Sequence, residues 1–354
     1  MDQFATEIFW LHPNGPASAD LQPEVGMKST RLAQLARAGF PVPAGFCLPA
    51  GAYRRHVLTA DPPYLQSLLA AQDFARLREW IVGREITPED RAGLLAAYRR
   101  LRAQAPLGVA VRSSASAEDL PDHSFAGLYT SVLNVTAEED LLAAVRTCWA
   151  SCWNDEAVAY LQTAGIDPMT RSMAVLVQAM APAVLAGVIF TQVSPREPHV
   201  ALVEFTPAGG EALMNGAARG VQLFLDRRNG RPVRAPGGEH ELDVSRLLAL
   251  ALQLEELLGA PQDIEWTMDA SGNLWIVQSR PITNLPAGAF DRPNGTEWLL
   301  TYDEPFSPLG VEIAMARYRY WVNGINASLK TRFPAEMRAQ DGLLYYRPTW
   351  RSPG

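Results

Sequence analysis

The clearest alternation of apolar and polar positions lies at 261–283, Pro-Gln-Asp-Ile-Glu-Trp-Thr-Met-Asp-Ala-Ser-Gly-Asn-Leu-Trp-Ile-Val-Gln-Ser-Arg-Pro-Ile-Thr. It predicts two strands joined by a polar turn at 269–273 that contains Gly272. Strand side chains alternate faces. Asp263 and Glu265 then point one way, and Ile264, Trp266 and Met268 the other. Gln278 and Arg280 share a face of the second strand. Elsewhere, Leu32, Leu35 and Ala36 fall at helical spacing in 28–38, with Gly39 as a stop. A short strand at 109–112 runs into a Ser/Ala-rich loop. One or two helices cover 138–162, with Leu141, Leu142, Val145, Cys148, Trp149 and Cys152 as the apolar stripe. Strands are expected at 200–205, 221–226 and 232–234, the last two flanking an Asn229-Gly230 turn. A helix at 244–258 is closed by Gly259. Helices and strands alternate irregularly, which predicts an α+β class rather than a doubly wound sheet.

One apolar run needs separate treatment. Positions 173–190 carry no charge and approach the length of a membrane span. Gln178, Pro182 and Gly187 interrupt the run, which reads as two buried strands, 175–178 and 187–191, joined by 181–186.

Composition narrows the class. The 354 residues exceed the usual domain size of about 150. With 31 Lys and Arg against 38 Asp and Glu, the net charge is −7. No basic patch stands out, so neither nucleic acid nor an anionic membrane is an expected partner. Three cysteines do not make a disulfide frame. Cys148 and Cys152 share a helical face with no further Cys or His nearby, so they read as buried thiols rather than zinc ligands. The first residues carry neither a basic region nor an apolar signal core. The expected compartment is the cytoplasm.

The polar face of the 261–283 hairpin is the candidate site. Two carboxylates, an amide oxygen and a guanidinium suit a Mg²⁺–polyphosphate site, with hard oxygens for the metal and a cation for phosphate. The same pattern is also that of an ordinary hairpin with one polar face.

A resemblance bears on that choice. Gln-Asp-Ile-Glu-Trp followed by Val-Gln-Ser-Arg-Pro-Ile-Thr resembles the end of the ATP-grasp domain in the phosphoenolpyruvate synthase, pyruvate phosphate dikinase and rifampicin phosphotransferase family. The block 109–135, Val-Ala-Val-Arg-Ser-Ser-Ala-Ser-Ala-Glu-Asp-Leu-Pro-Asp-His-Ser-Phe-Ala-Gly-Leu-Tyr-Thr-Ser-Val-Leu-Asn-Val, is similar to that family's nucleotide-binding block. A weaker block, 26–46, ends in Ala-Gly-Phe-Pro-Val-Pro-Ala-Gly-Phe. The resemblance spans roughly 20–285 and implies an ATP-grasp fold of two α+β subdomains with nucleotide in the cleft between them. It divides the chain into subdomains at 1–200 and 201–288, a linker at 289–295, and an incomplete start of a substrate-binding domain at 296–354.

The resemblance also implies roles. Lys28, at a loop-to-helix junction, would contact ATP phosphates, although Met27 and Ser29 replace two of the family's loop glycines. Arg112 would bind the polyphosphate, with Ser113, Ser114 and Ser116 lining the loop after it. Gly127 belongs to a small flexible loop over the phosphates, where Leu128 replaces the family's Gln. Gln178 to Met180 would be the hinge whose backbone recognises adenine. Val193 stands near an expected Asp. Glu211, in a loop altered by Pro207, would serve the ribose or nucleotide placement. Glu265 and Gln278 match the metal-ligand pair, Arg280 a phosphate-proximal arginine, and Asp263 a nearby acid. ATP and Mg²⁺ are the implied cofactors.

The implied activity is a dikinase-type phosphotransfer. MgATP gives AMP and phosphate, and a carrier histidine passes phosphate to a small-molecule acceptor that is pyruvate-like or rifamycin-like. The five histidines (His12, His56, His123, His199 and His240) lie outside the family's carrier motif, so a phosphohistidine domain or partner is expected elsewhere. The tail, with Pro305-Phe306-Ser307-Pro308-Leu309-Gly310, resembles the opening of the following substrate domain. Two further readings are a nucleotide-binding regulatory module without turnover and an ATP-grasp ligase acting through an acyl phosphate.

Overall fold

A computed structural model describes residues 8–12, 22–115, 119–120, 123–124, 129–155, 157–158, 169, 172–194, 197–206, 221–233, 244–282, 299–300, 335–340 and 343–348. The chain opens with β1 (Phe9–Leu11), α1 (Gln22–Arg37), β2 (Gly45–Leu48) and α2 (Ala50–Tyr53). A π-helical turn, Arg54–Leu58, leads to α3 (Pro62–Ala71), α4 (Phe74–Gly83) and α5 (Pro88–Arg102). Then come β3 (Val109–Ala115), β4 (Asp119–Leu120), β5 (His123–Ser124), β6 (Ser131–Val135) and α6 (Glu138–Ser151). Next are β7 (Met173–Ala179), β8 (Leu185–Phe190), β9 (Val200–Thr206), β10 (Val221–Asp226) and α7 (Ser245–Leu258). The order ends with β11 (Gln262–Met268), β12 (Leu274–Pro281), β13 (Leu299–Leu300), β14 (Ala335–Gln340) and β15 (Leu343–Pro348).

The chain falls into two compact units. The first comprises Met1–Phe190, Val203–Leu223 and Arg234–Thr283. Its first sheet has the order β1-β2-β7-β3-β6 and is antiparallel throughout. A second sheet runs β10-β9-β8-β11-β12, and the unit contains β9 from Val203 and β10 up to Leu223. The uncharged run 173–190 is thus two strands, β7 in one sheet and β8 in the other. Among the described residues no helix is long and apolar enough to cross a membrane.

The core of this unit lies between the first sheet and the helices from α2 to α6. Phe46, Leu48, Tyr53, Leu94, Val109, Val111, Trp149, Trp153, Val175 and Val177 form one buried cluster. Period two explains its sheet side: Val109, Val111 and Ala115 of β3 and Met173, Val175 and Val177 of β7 belong to it. The opposite face then carries Ala110, Arg112 and Ser114 on β3, and Gln178 on β7. Burying each large aliphatic side chain here contributes about 1.5–3 kcal/mol.

Local chemistry sets the helix ends. Asp61 accepts from the Tyr64 amide, Asp73 from the Arg76 amide and Thr87 from the Asp90 amide, each at a helix start. Gly39 ends α1 with a positive φ of 84°. Its amide bonds Ala36 O and the Phe40 amide bonds Leu35 O, the pattern of a glycine-stopped helix. α1 begins six residues before the expected position 28 and is broken at Gly26 (φ 73°, ψ 170°). The segment 50–102, to which the apolar pattern gave no element, is mostly helical.

The second unit, Thr191–Leu202, Phe224–Val233 and Asn284–Gly354, contains the antiparallel sheet β13-β15-β14. Of the expected strand at 232–234, Pro232 makes a single bridge with Leu225, and Arg234 lies outside the described residues. The turn before it is fixed by Asp226, whose carbonyl accepts from the Gly230 amide at 2.8 Å. Bonding from the Arg228 side chain and amide holds the Asp226 carboxyl at about 2.

Candidate functional site

The site forms in the first unit, where the polar face of β3 meets β11 and β12. Antiparallel pairing of β11 with β12 sets Asp263 opposite Arg280 and Glu265 opposite Gln278. Strict alternation along β12 would place Leu274 and Ile276 on the same face as Gln278 and Arg280. The register shifts between Glu265 and Trp266, because Trp266 faces Ile276 and Val277 is the extra residue. This bulge flips the phase. Leu274 and Ile276 turn inward beside Ile264 and Trp266, while Gln278 and Arg280 stay with the carboxylates.

Arg112 closes the site. One terminal nitrogen lies 2.7 Å from Glu265 Oε2 and 3.3 Å from Gln278 Oε1, and the other donates to Val277 O at 3.2 Å. The carbonyl of the bulge residue is therefore one acceptor for this guanidinium. The Arg112 side chain is 7% exposed and that of Glu265 18%. The Arg112 Nε is buried without a hydrogen-bond partner. A second pair lies beside it: Arg280 Nε and a terminal nitrogen reach Asp263 Oδ2 at 2.7 and 2.6 Å.

Ser114, two residues along the same face of β3, holds the loop that carries Lys28. Its hydroxyl donates to Val25 O at 2.8 Å and accepts from the Ser29 amide at 3.1 Å. The Ser29 hydroxyl lies 3.2 Å away. Gly26 is pressed so closely that a Cβ there would come 2.0 Å from Ser114 O. Lys28 opens the helical segment just after Gly26. Ser113 points to the core face, with its hydroxyl buried and unpartnered.

Gln178 is buried at the end of β7 and donates to Pro43 O at 3.4 Å. The Met180 amide donates to Gly108 O at 3.0 Å. The segment between β2 and α1 also reaches the site, since the Ile276 amide donates to Pro41 O at 2.8 Å. Gly127, Glu211 and Ser116 lie outside the described residues. The structure therefore brings together Arg112, Asp263, Glu265, Gln278 and Arg280, with Ser114 and the Lys28 loop on the same strand face. Sequence reasoning missed the Val277 carbonyl. Its signal was two apolar even positions, 274 and 276, followed by two polar ones, 278 and 280.

Burial pushes the Cys47 thiol, against the Val25 carbonyl, up to about 12. The same cause raises Cys148 to about 12, with the charge of Lys28 acting in the opposite sense. These thiols are neutral packing groups.

The donor set fits a Mg²⁺–polyphosphate ligand. Magnesium is held by one or two protein oxygens while phosphate and water fill the remaining positions. Glu265 and Gln278 supply one carboxylate and one amide oxygen. Among the described residues no cluster of three or more His, Cys, Asp or Glu could hold a metal unaided. The unpartnered Arg112 Nε is a buried donor suited to an anionic oxygen.

Such a combination has the chemistry that a nucleotide-polyphosphate-binding module requires. Residues 22–245 and 239–296 match the family described as pyruvate phosphate dikinase, AMP/ATP-binding domain, and the chain belongs to that family. A rifampicin phosphotransferase from Streptomyces sviceus is 35% identical over 341 residues, covering 82% of this chain and 38% of that protein. A probable phosphoenolpyruvate synthase from Archaeoglobus fulgidus is 32% identical over 303 residues, covering 74% and 40%. The chain spans less than half the length of these curated relatives. An ADP complex of N5-carboxyaminoimidazole ribonucleotide synthetase overlays with a TM-score of 0.36 at 12% identity, covering 95% of this chain and 70% of that one.

Proposed function

We propose that this chain is the nucleotide-binding module of a dikinase-type phosphotransferase, which donates a phosphoryl group from MgATP to a carrier histidine outside its own residues. The observation that carries this reading is Arg112, a buried guanidinium of the first sheet set on Glu265, Gln278 and Val277 of the second. With nucleotide bound, Arg112 and Arg280 would hold phosphate oxygens, and Lys28 would offset charge from its loop. A Mg²⁺ ion would supply further charge neutralisation on the polyphosphate. Glu265 and Gln278 would be its protein ligands, with Asp263 orienting Arg280. Ser114 and Gly26 would fix the Lys28 loop. Gly127 would lie over the phosphates and Glu211 would serve the ribose. The strand end at Gln178 and Met180 would face adenine through groups other than the Met180 amide, which is already paired.

Phosphoryl transfer of this kind depends on positioning and on charges aimed at the transferring group, and the module itself needs no base. ATP would lose two phosphoryl groups, one to the carrier histidine and one to water, so the products would be AMP, phosphate and a phosphohistidine, which then passes its phosphoryl group to a small-molecule acceptor. The proposed division of the chain is a nucleotide domain up to 288, a linker at 289–295 and the beginning of a substrate domain from 296. The test is ³¹P NMR of ATP incubated with this chain and a histidine-carrier domain from a relative. AMP, phosphate and a phosphohistidine signal are expected. ADP as the sole product, or bound nucleotide with no product, would overturn the dikinase reading.

A further inference from the structure

We infer that Arg112 stands in the place of the divalent cation in the nucleotide-free chain, so that metal enters only together with a polyphosphate. The inference rests on the proposed nucleotide site.

One terminal nitrogen of Arg112 is within 2.7 Å of Glu265 Oε2 and 3.3 Å of Gln278 Oε1. These are the two oxygens to which the proposed function assigns magnesium. A cation already lies between them. A free metal ion arriving alone must displace the guanidinium from both oxygens. It would leave that guanidinium buried with the Val277 carbonyl as its one acceptor among the described residues, and an uncompensated buried charge is strongly disfavoured.

A polyphosphate changes the balance. Its oxygens accept from guanidinium nitrogens in the charge-assisted, two-pronged geometry that arginine favours. The Nε, buried and unpartnered, gains an acceptor at the same time. Drawing Arg112 onto phosphate frees Glu265 and Gln278, and the metal can bind them and the phosphate oxygens together. By linkage, metal and polyphosphate then raise each other's affinity by the same factor. Arg280 does not substitute for Arg112 here, because its nitrogens are set on Asp263 Oδ2. The ligand recognised is therefore the divalent-cation complex of a nucleoside polyphosphate rather than either component in turn.

The test uses Mn²⁺ as the probe and electron paramagnetic resonance of the free aqua ion as the readout. The 354-residue chain is compared with Arg112→Gln, Arg112→Met and the Arg112→Gln/Glu265→Gln double variant, all without nucleotide. Removal of the guanidinium is expected to tighten Mn²⁺ binding by at least about fivefold, the lower edge of ordinary coupling. Adding Glu265→Gln should abolish that gain. Equal Mn²⁺ affinity in the unmodified chain and the Arg112 variants overturns the inference, as does a gain that survives Glu265→Gln. If the Arg112 variants fail to fold, the unmodified chain decides against Glu265→Gln. Glu265-dependent Mn²⁺ uptake only after ADP is added supports the inference, and the same uptake without ADP overturns it. Failure of ADP to bind under any metal condition would remove the nucleotide reading instead and leave the Mn²⁺ comparison standing.

Discussion

Replacing Gly26 with alanine tests whether the Lys28 loop is locked to β3. Gly26 sits at φ 73° and ψ 170°, a region essentially reserved for glycine, where another residue costs about 1–3 kcal/mol. The added Cβ would also lie 2.0 Å from the Ser114 carbonyl oxygen and 2.4 Å from its carbon. These atoms belong to the backbone in the middle of a sheet, so the loop must yield. Backing away gives up the Ser114 hydroxyl's contacts with Val25 O, the Ser29 amide and the Ser29 hydroxyl. At about 1 kcal/mol net for each bond, release costs about 3 kcal/mol. The cheaper combination of strain and release predicts a loss of about 2–5 kcal/mol. Gly39→Ala is the control, because Gly39 also has a positive φ (84°) but open space where its Cβ would stand. That variant should lose only about 1–2 kcal/mol. Urea denaturation followed by tryptophan fluorescence, with nucleotide affinity measured on the same samples, gives both readouts. If Gly26→Ala is no more destabilised than Gly39→Ala, or binds ATP as well as the unmodified chain, the interlock does not position the loop.

Two further predictions concern buried titratable groups. His56 packs 4.8 Å from Trp149 and bonds Ile81 O through Nε2, and burial holds its pKa below the ordinary 6.5. The unfolded chain therefore takes up a proton that the folded one resists. Stability is fully present above about pH 6.5 and falls toward the folded pKa, by up to about 1.4 kcal/mol per pH unit within that window. Urea midpoints from pH 5 to 8 should show this slope, and His56→Gln should flatten it; an unchanged slope contradicts the assignment. Cys47 and Cys148, raised to about 12, should carry about one part in ten thousand thiolate at pH 8. Iodoacetamide labelling should follow unfolding in denaturant, and rapid labelling of either thiol in the native chain would refute their burial.

Much of the fold was legible where one face is dry and one is polar. The strands flanking the 269–273 turn, the split of 173–190 into two strands and the glycine stops after α1 and α7 all follow from period and punctuation. The helices α3 to α5 were passed over although their caps are written in the chain. Asp61-Pro62, Asp73 and Thr87-Pro88-Glu89-Asp90 are ordinary start signals, but each helix buries only a few side chains, so its apolar stripe is faint. Within the site, the shared face of Asp263, Glu265, Gln278 and Arg280 was readable from alternation. The bulge that makes that face compatible with an inward Ile276 was not read, because it is a tertiary answer to a phase conflict on β12. Nor did the sequence show that Arg112 rests on Glu265 and Gln278. That contact joins residues 153 and 166 positions apart in the chain, and no local pattern encodes it.

The central claim is that a nucleotide polyphosphate binds where Arg112 meets Glu265 and Gln278. Calorimetric titration of MgATP and MgADP into the chain, beside Arg112→Ala and Glu265→Ala, tests it most directly. The account predicts binding in the micromolar range, weakened at least about tenfold in each variant while melting temperatures show both variants folded. Equal affinity in all three proteins, or no binding by the unmodified chain, would contradict it.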